Sequence, residues 1–306
     1  MVCGINCLPC SRFSNASMPY TLDELRGLLD LERIEHNIFR GQSRDIGSGS
    51  VFGGQALAQA LVAAARTIDE DRHPHSMHGY FILPGDVDAP IVYEVDRIRN
   101  GGSFSTRRIV AIQHGRAIFN MSASFHVEER GADHQADMPD VPQPDDLPRE
   151  LDLLRQVADH VPPDKRSFFV EERPIEFRPV DPVDLFAPDP SPPRRHLWLR
   201  ARGSLPDNRL LHQGVLAYAS DYGLLSTALR PHGLTFAMPS LQLASLDHAL
   251  WFHRPFRVDS WLLYCMESPS ASGARGFTRG HIFSEDGTLV ASIVQEGLMR
   301  QKTAAE

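Results

Sequence analysis

One long pattern occurs twice in this chain, and any fold must accommodate both copies. A helix-like run, GGQALAQALVAAA from Gly53, is followed by SMHGYFILPG and then by strand-like runs ending in QHGRAIFNMSASF. The order returns as LHQGVLAYASDYGLL from Leu211, SLDHALWFHRPF from Ser245, and a last pair ending in EDGTLVASIVQEG. Gln55 aligns with Gln213, His78 with His248, Tyr93 with Tyr264 and Gly115 with Gly287, an offset of 158 residues in the helix and about 170 in the strands. A repeat of this length is a duplicated fold and not a solenoid. In this register Asp221, Ser245 and Gln295 fall on Ala63, His75 and Ala123. Polar side chains planted in one copy point to a single site in the second half.

With 306 residues the chain has room for two cores. No apolar run is long enough to span a bilayer, so stable membrane insertion is not expected. A formal charge of −8 argues against a nucleic-acid partner, which would require a basic face. Cys3, Cys7 and Cys10 crowd into the start and only Cys265 lies in the body, so there is no disulfide framework and a reducing cytoplasm is expected. Three thiols so spaced can hold an iron–sulfur cluster, but no barrel of alternating strands and helices follows them. Residues 1–20 therefore read as a disordered extension, with Met18 as an alternative start.

Thr21, three residues before Glu24, caps a first helix at 21–31. The first unit spans 21–127; its helix at 54–67 is apolar on nearly every face, as expected of a helix wrapped by protein. Residues 128–166 read as a linker, rich in Asp, Pro and Glu up to 148 and then carrying a short helix at 149–160. The second unit spans 167–301, with a proline-dense loop at 179–193, a helix at 212–229 and four further strands, before a tail at 302–306. One buried helix per run of antiparallel strands, made twice, predicts an α+β chain of double hotdog architecture.

Two decoys are set aside. Gly47, Gly49 and Gly53 imitate a dinucleotide-binding loop, but the preceding FRGQSRDI is charged where a buried strand is required. His73, His75, His78, His248 and His253 follow no ligand spacing and have few acids or thiols beside them, so no metal is expected; His78 and His248 read as structural.

Asp221 has Ala217, Tyr218, Leu224 and Leu225 as helical neighbours, which puts it mid-helix on the apolar stripe. Gln295 shares strand parity with Leu289, Ala291, Ile293 and Met299, and Ser245 lies in a run apolar on both parities. Each residue alone is compatible with a purely structural role; the trio, absent from the sister copy, indicates a site. There is no G-x-S-x-G elbow and no His placed to make Ser245 a nucleophile. A carboxylate, a hydroxyl and an amide can instead hold a water, with Asp221 as general base and Ser245 and Gln295 aiming it at an acyl carbon. That hydrolysis asks for no metal and no cofactor.

The stretches IFRGQS, VFGGQALAQAL, HGYFILPGD, GGSFSTRR, YASD, LDHALWFHRPF, ARGFTRG and VQEGLMR, spread over about residues 29–300, resemble the acyl-CoA thioesterase II family. The resemblance implies a double hotdog that hydrolyses fatty acyl-CoA to free acid and CoA, with the water-holding residues at Asp221, Ser245 and Gln295. The family often has Thr where Ser245 stands, which keeps the hydroxyl. It also implies a homodimer or a dimer of dimers. A hotdog hydratase would carry His five positions after the Asp, where this chain has Ser226. A non-catalytic acyl-CoA-binding protein would need the pocket but not the trio. Arg107, Arg108, Arg275 and Arg279 are candidates for gripping the CoA phosphates.

Overall fold

The computed structural model describes residues 20–162 and 166–302. The cysteine-bearing extension up to residue 19 and the tail from 303 lie outside the described residues. Leucines at the right spacing and a capping box between Thr21 and Glu24 form α1 (Leu22–Leu29). The two repeated helices are α2 (Gly53–Ala65), buried from Gly54 through Ala64, and α5 (Arg209–Ser220), whose N-cap Asn208 accepts from the Leu211 N–H. Between them stand α3 (Glu150–Val157) and α4 (Ser167–Val170), and α6 (Leu224–Leu229) follows α5.

Among the described residues thirteen antiparallel strands make one sheet. The first half supplies β1 (Glu32–Glu35), β2 (Ile38–Gly41), β3 (Arg72–Phe81), β4 (Ile91–Asn100), β5 (Phe104–Gln113) and β6 (Arg116–Val127). The second supplies β7 (Ile175–Pro179), β8 (Arg194–Ala201), β9 (Leu241–Ser245), β10 (Asp247–Phe252), β11 (Leu262–Ser272), β12 (Arg275–Ser284) and β13 (Leu289–Gln301). The order is β1-β2-β4-β5-β6-β3-β10-β13-β12-β11-β8-β7, with β9 beside β13. The halves therefore join edge to edge through β3 and β10, with Ala249 opposite His78. Phe119, Met121, Ala123 and Phe125 of β6, and Ala291, Ile293 and Gln295 of β13, point inward onto the helices, which pack against each other.

Strand pairing corrects the alignment of the copies. His248 meets Gln295 side by side, next to the pair Ala249–Val294, just as Met77 lies opposite Ala123. If Ala123 matches Gln295, then Met77 matches His248, and His78 is one residue out. The slip changes the face: His78 is exposed and packs edge-on against Trp251, whereas His248 is fully enclosed. Ser245 opposite Gly297 likewise matches Pro74 opposite Phe125, and not His75. A register shift between Pro74 and Ser76 conceals this in the sequence.

The halves also differ in their connections. β1 and β2 are joined by a tight turn at 36–37, while β7 and β8 are separated by residues 180–193. After α2 the chain enters β3 within residues 66–71; after α5 it takes residues 221–240 to reach β9. The acidic, proline-rich segment after residue 128 lies along the second half: Gln135 bonds Gly287 and Leu289, and the Trp198 indole donates to the Pro142 carbonyl.

Candidate active site

The predicted helix at 212–229 is two helices. α5 ends at Ser220, Asp221 is its C-cap, and Gly223, at φ 88°, turns the chain into α6. Asp221 therefore stands at a helix end and not mid-helix. A left-handed position is cheap only for glycine, which is why the break falls there. Tyr264, fully buried, fixes this end by donating its hydroxyl to the Ser220 carbonyl at 2.9 Å.

The three sequence-predicted residues meet. Gln295 Nε2 donates to Asp221 Oδ1 at 2.5 Å, Ser245 Oγ donates to the same oxygen at 3.4 Å, and Gln295 Nε2 lies 3.2 Å from Ser245 Oγ. The Asp221 side chain is 5% exposed. Burial pushes its carboxyl up to about 6, against the opposing pull of the Gln295 amide, the Gly54 N–H and Ser245.

Two participants were not anticipated as parts of the site. The first is the N-terminus of α2, from the other half: the Gly54 N–H donates to the Asp221 carboxylate. No side chain caps this helix, and the contact is close enough to require glycines. A Cβ on Gly53 would come 2.5 Å from Asp221 Oδ2, and one on Gly54 would come 2.2 Å from the Tyr218 carbonyl oxygen. The site is thus built from both halves.

The second is His248. Ser220 Oγ donates to the Ala217 carbonyl, so it accepts from His248 Nε2, leaving Nδ1 to accept from Gln295 Nε2 at 3.3 Å. Burial lowers the imidazole to about 3, which makes it neutral; its 3.9 Å approach to Asp221 is not an ion pair. It orients the amide that touches Asp221. The inward parity of His248, Leu250 and Phe252 is the sequence signal for it. Gln295 Oε1 is buried with no protein partner among the described residues, an acceptor suited to a water or a substrate donor.

The other candidates are placed differently. Arg107 is buried, and its donors go to Thr67 Oγ1 and O, Asn100 Oδ1, and the Arg99 and Thr106 carbonyls; it does not reach a phosphate. Arg108 pairs with Asp96, Arg275 with Glu296 and Arg279 with Glu267 at the surface. In the glycine loop the Asp45 carboxylate accepts from the N–H groups of Gly47, Ser48 and Gly49, occupying the cradle a phosphate would use. Among the described residues no group of three or more His, Cys, Asp or Glu is placed to hold a metal ion, and no helix is long and apolar enough to cross a membrane.

Known structures share this architecture. A hot dog fold protein from Alicyclobacillus acidocaldarius matches with a TM-score of 0.74 over 92% of this chain and 99% of its own, at 20% identity, a likeness that shows the fold. The chain is a double hotdog. The acyl-CoA thioesterase family model matches residues 164–298, and the model for the acyl-CoA thioesterase N-terminal domain matches 41–126. Acyl-CoA thioesterase 2 of Haemophilus influenzae is 43% identical over 279 residues, covering 91% of this chain and 98% of its own. Human acyl-coenzyme A thioesterase 8 is 41% identical over 283 residues, 90% of this chain and 88% of its own. The structure of acyl-CoA thioesterase II TesB2 from Mycobacterium marinum has a TM-score of 0.75 at 44% identity, covering 92% of this chain and all of that one. The chain belongs to the acyl-CoA thioesterase II family.

Proposed function

We infer that this thioesterase hydrolyses fatty acyl-CoA to free fatty acid and CoA by direct attack of a water held by Asp221, Ser245 and Gln295. The observation that carries this reading is the enclosed Asp221 carboxylate, raised to about 6 and bonded to both partners. A base poised near neutral pH is effective because it is ionised yet still basic enough to take a proton. Asp221 accepts a proton from the water, whose oxygen bonds to the thioester carbon. The tetrahedral intermediate then collapses, the C–S bond breaks, and the proton on Asp221 passes to the departing CoA sulfur. The positive end of the α2 dipole lies at this place, which suits the developing oxyanion.

Ser245 positions the water and takes no acyl group. Ser245→Ala is expected to retain measurable turnover, with a loss of about 10–100-fold, less than the roughly 10²–10⁴-fold associated with a missing general base. An acyl adduct on Ser245 after rapid quench would contradict this role.

Self-association into a homodimer or a dimer of dimers, in the cytoplasm, accompanies the same reading. Tyr80, Ile82 and Phe104 are exposed at 62%, 47% and 40%, apolar surface that a second copy would cover. Light scattering should give a multiple of 34.2 kDa; a monomer mass at working concentration would rule this out.

A further inference from the structure

The two insertions that distinguish the second half from the first, residues 180–193 and 221–240, lie against each other. Arg230 donates to the Pro192 and Asp181 carbonyls, the Ser191 N–H donates to the Arg230 carbonyl, and Thr235 Oγ1 donates to the Leu185 carbonyl. With α3 they border a cavity of about 370 Å³ whose lining includes Tyr222 and Ser226, one and five residues past Asp221 in sequence. Its walls include Leu153 and Val157 of α3, Val183 and Leu185 of the first insertion, and Leu234 and Phe236 of the second. The charged groups in its wall have partners: Arg195 bonds Glu150 and Ser226, Glu150 also the Tyr222 hydroxyl, Arg230 carbonyls, and Asp184 the Phe186 and Ala187 N–H groups. A second cavity, beside Phe52, Tyr218 and Tyr222, holds only about 50 Å³, little room for a hydrocarbon chain.

Long connections inside a compact domain are uncommon unless they do something, and here both occur only in the half that carries the carboxylate. An apolar chamber of this size at the end of the Asp221 helix fits a flexible hydrocarbon chain. We propose that the two insertions and α3 form the receptacle for the acyl chain, and that Val183, Leu185, Leu234 and Leu153 set the chain length accepted. This rests on the reading of the protein as an acyl-CoA hydrolase, and it places the selectivity in side chains other than Asp221, Ser245 and Gln295.

The test measures binding as well as turnover. The non-hydrolysable thioethers S-hexadecyl-CoA and S-hexyl-CoA are titrated into the wild type, Val183→Trp and Leu234→Trp, and hydrolysis of palmitoyl-CoA and hexanoyl-CoA is measured in parallel. The wild type should bind the long thioether more tightly. Either tryptophan should cut that preference about tenfold or more, with short-chain binding and turnover held within about twofold. Two variants are used so that one that fails to fold leaves the other to decide. An unchanged chain-length preference in a folded variant, or equal weakening of both ligands, overturns the proposal. The arms separate its failure from that of the hydrolase reading: a shifted binding preference without hydrolysis sinks the latter alone, and hydrolysis with an unshifted preference sinks only the former.

Discussion

Asp221→Asn is expected to lower kcat by about 10²–10⁴-fold while leaving the protein folded, the loss typical of a missing general base. The wild-type kcat/KM should fall tenfold per pH unit below about 6, where Asp221 takes up its proton, and the residual activity of the variant should lack that limb. Stability should change in the opposite sense to activity. The folded carboxyl holds its proton up to about 6 against an ordinary value of 3.8, so folding takes up a proton between those values. The favourable contribution is complete below the unfolded pKa and is lost as pH rises through the folded one. At neutral pH the ionised group costs about 3 kcal/mol. The asparagine escapes that cost, less what its amide loses by facing the Gly54 N–H as a second donor. Urea unfolding at pH 7 should show the variant more stable than the wild type, with the gap closing toward pH 4. Near-full turnover in the variant would refute the role of Asp221.

Arg107→Ala should do the reverse, damaging the fold and sparing the chemistry. Arg107 pairs across the sheet with Ala123, as Thr278 pairs with Gln295, so it occupies the first-half counterpart of the active-site wall. Its guanidinium reaches the turn just past the end of α2 and binds Thr67 through both the hydroxyl and the carbonyl. Truncation would open a cavity and leave buried carbonyls without donors, together worth about 2–5 kcal/mol. Lysine should not rescue, because a single ammonium cannot reproduce the planar fork. Denaturant unfolding measures the loss, and KM for acyl-CoA measured on folded protein should be unchanged. A raised KM in a protein of wild-type stability would mean that Arg107 does hold the CoA phosphates.

The duplication and its two central helices were legible because α2 and α5 are apolar on almost every face, a pattern that only a helix wrapped by protein requires. The trio was legible for the complementary reason: an amide in the row Ala291, Ile293, Gln295, a carboxylate and a hydroxyl all stand where the first half has none. Strand β1 was hidden because Glu32, Arg33, Ile34 and Glu35 are all exposed and show no alternation, and β2 because it is only four residues long. The break after Asp221 was hidden because Leu224 and Leu225 continue the apolar stripe, so only Gly223 signals it. The share of the first half in the site could not be read at all. Gly53 and Gly54 are marked by contacts with Asp221 and Tyr218, more than 160 residues away in sequence, which no local pattern encodes.

The most direct test of the central claim, attack by a water that Asp221 activates, is intact-protein mass spectrometry of enzyme quenched during turnover of acyl-CoA in heavy-oxygen water. The predicted result is fatty acid carrying one heavy oxygen and enzyme of unchanged mass. An acyl adduct on Ser245, or heavy oxygen incorporated into the Asp221 carboxylate, would mean that a side chain and not a water attacks the thioester.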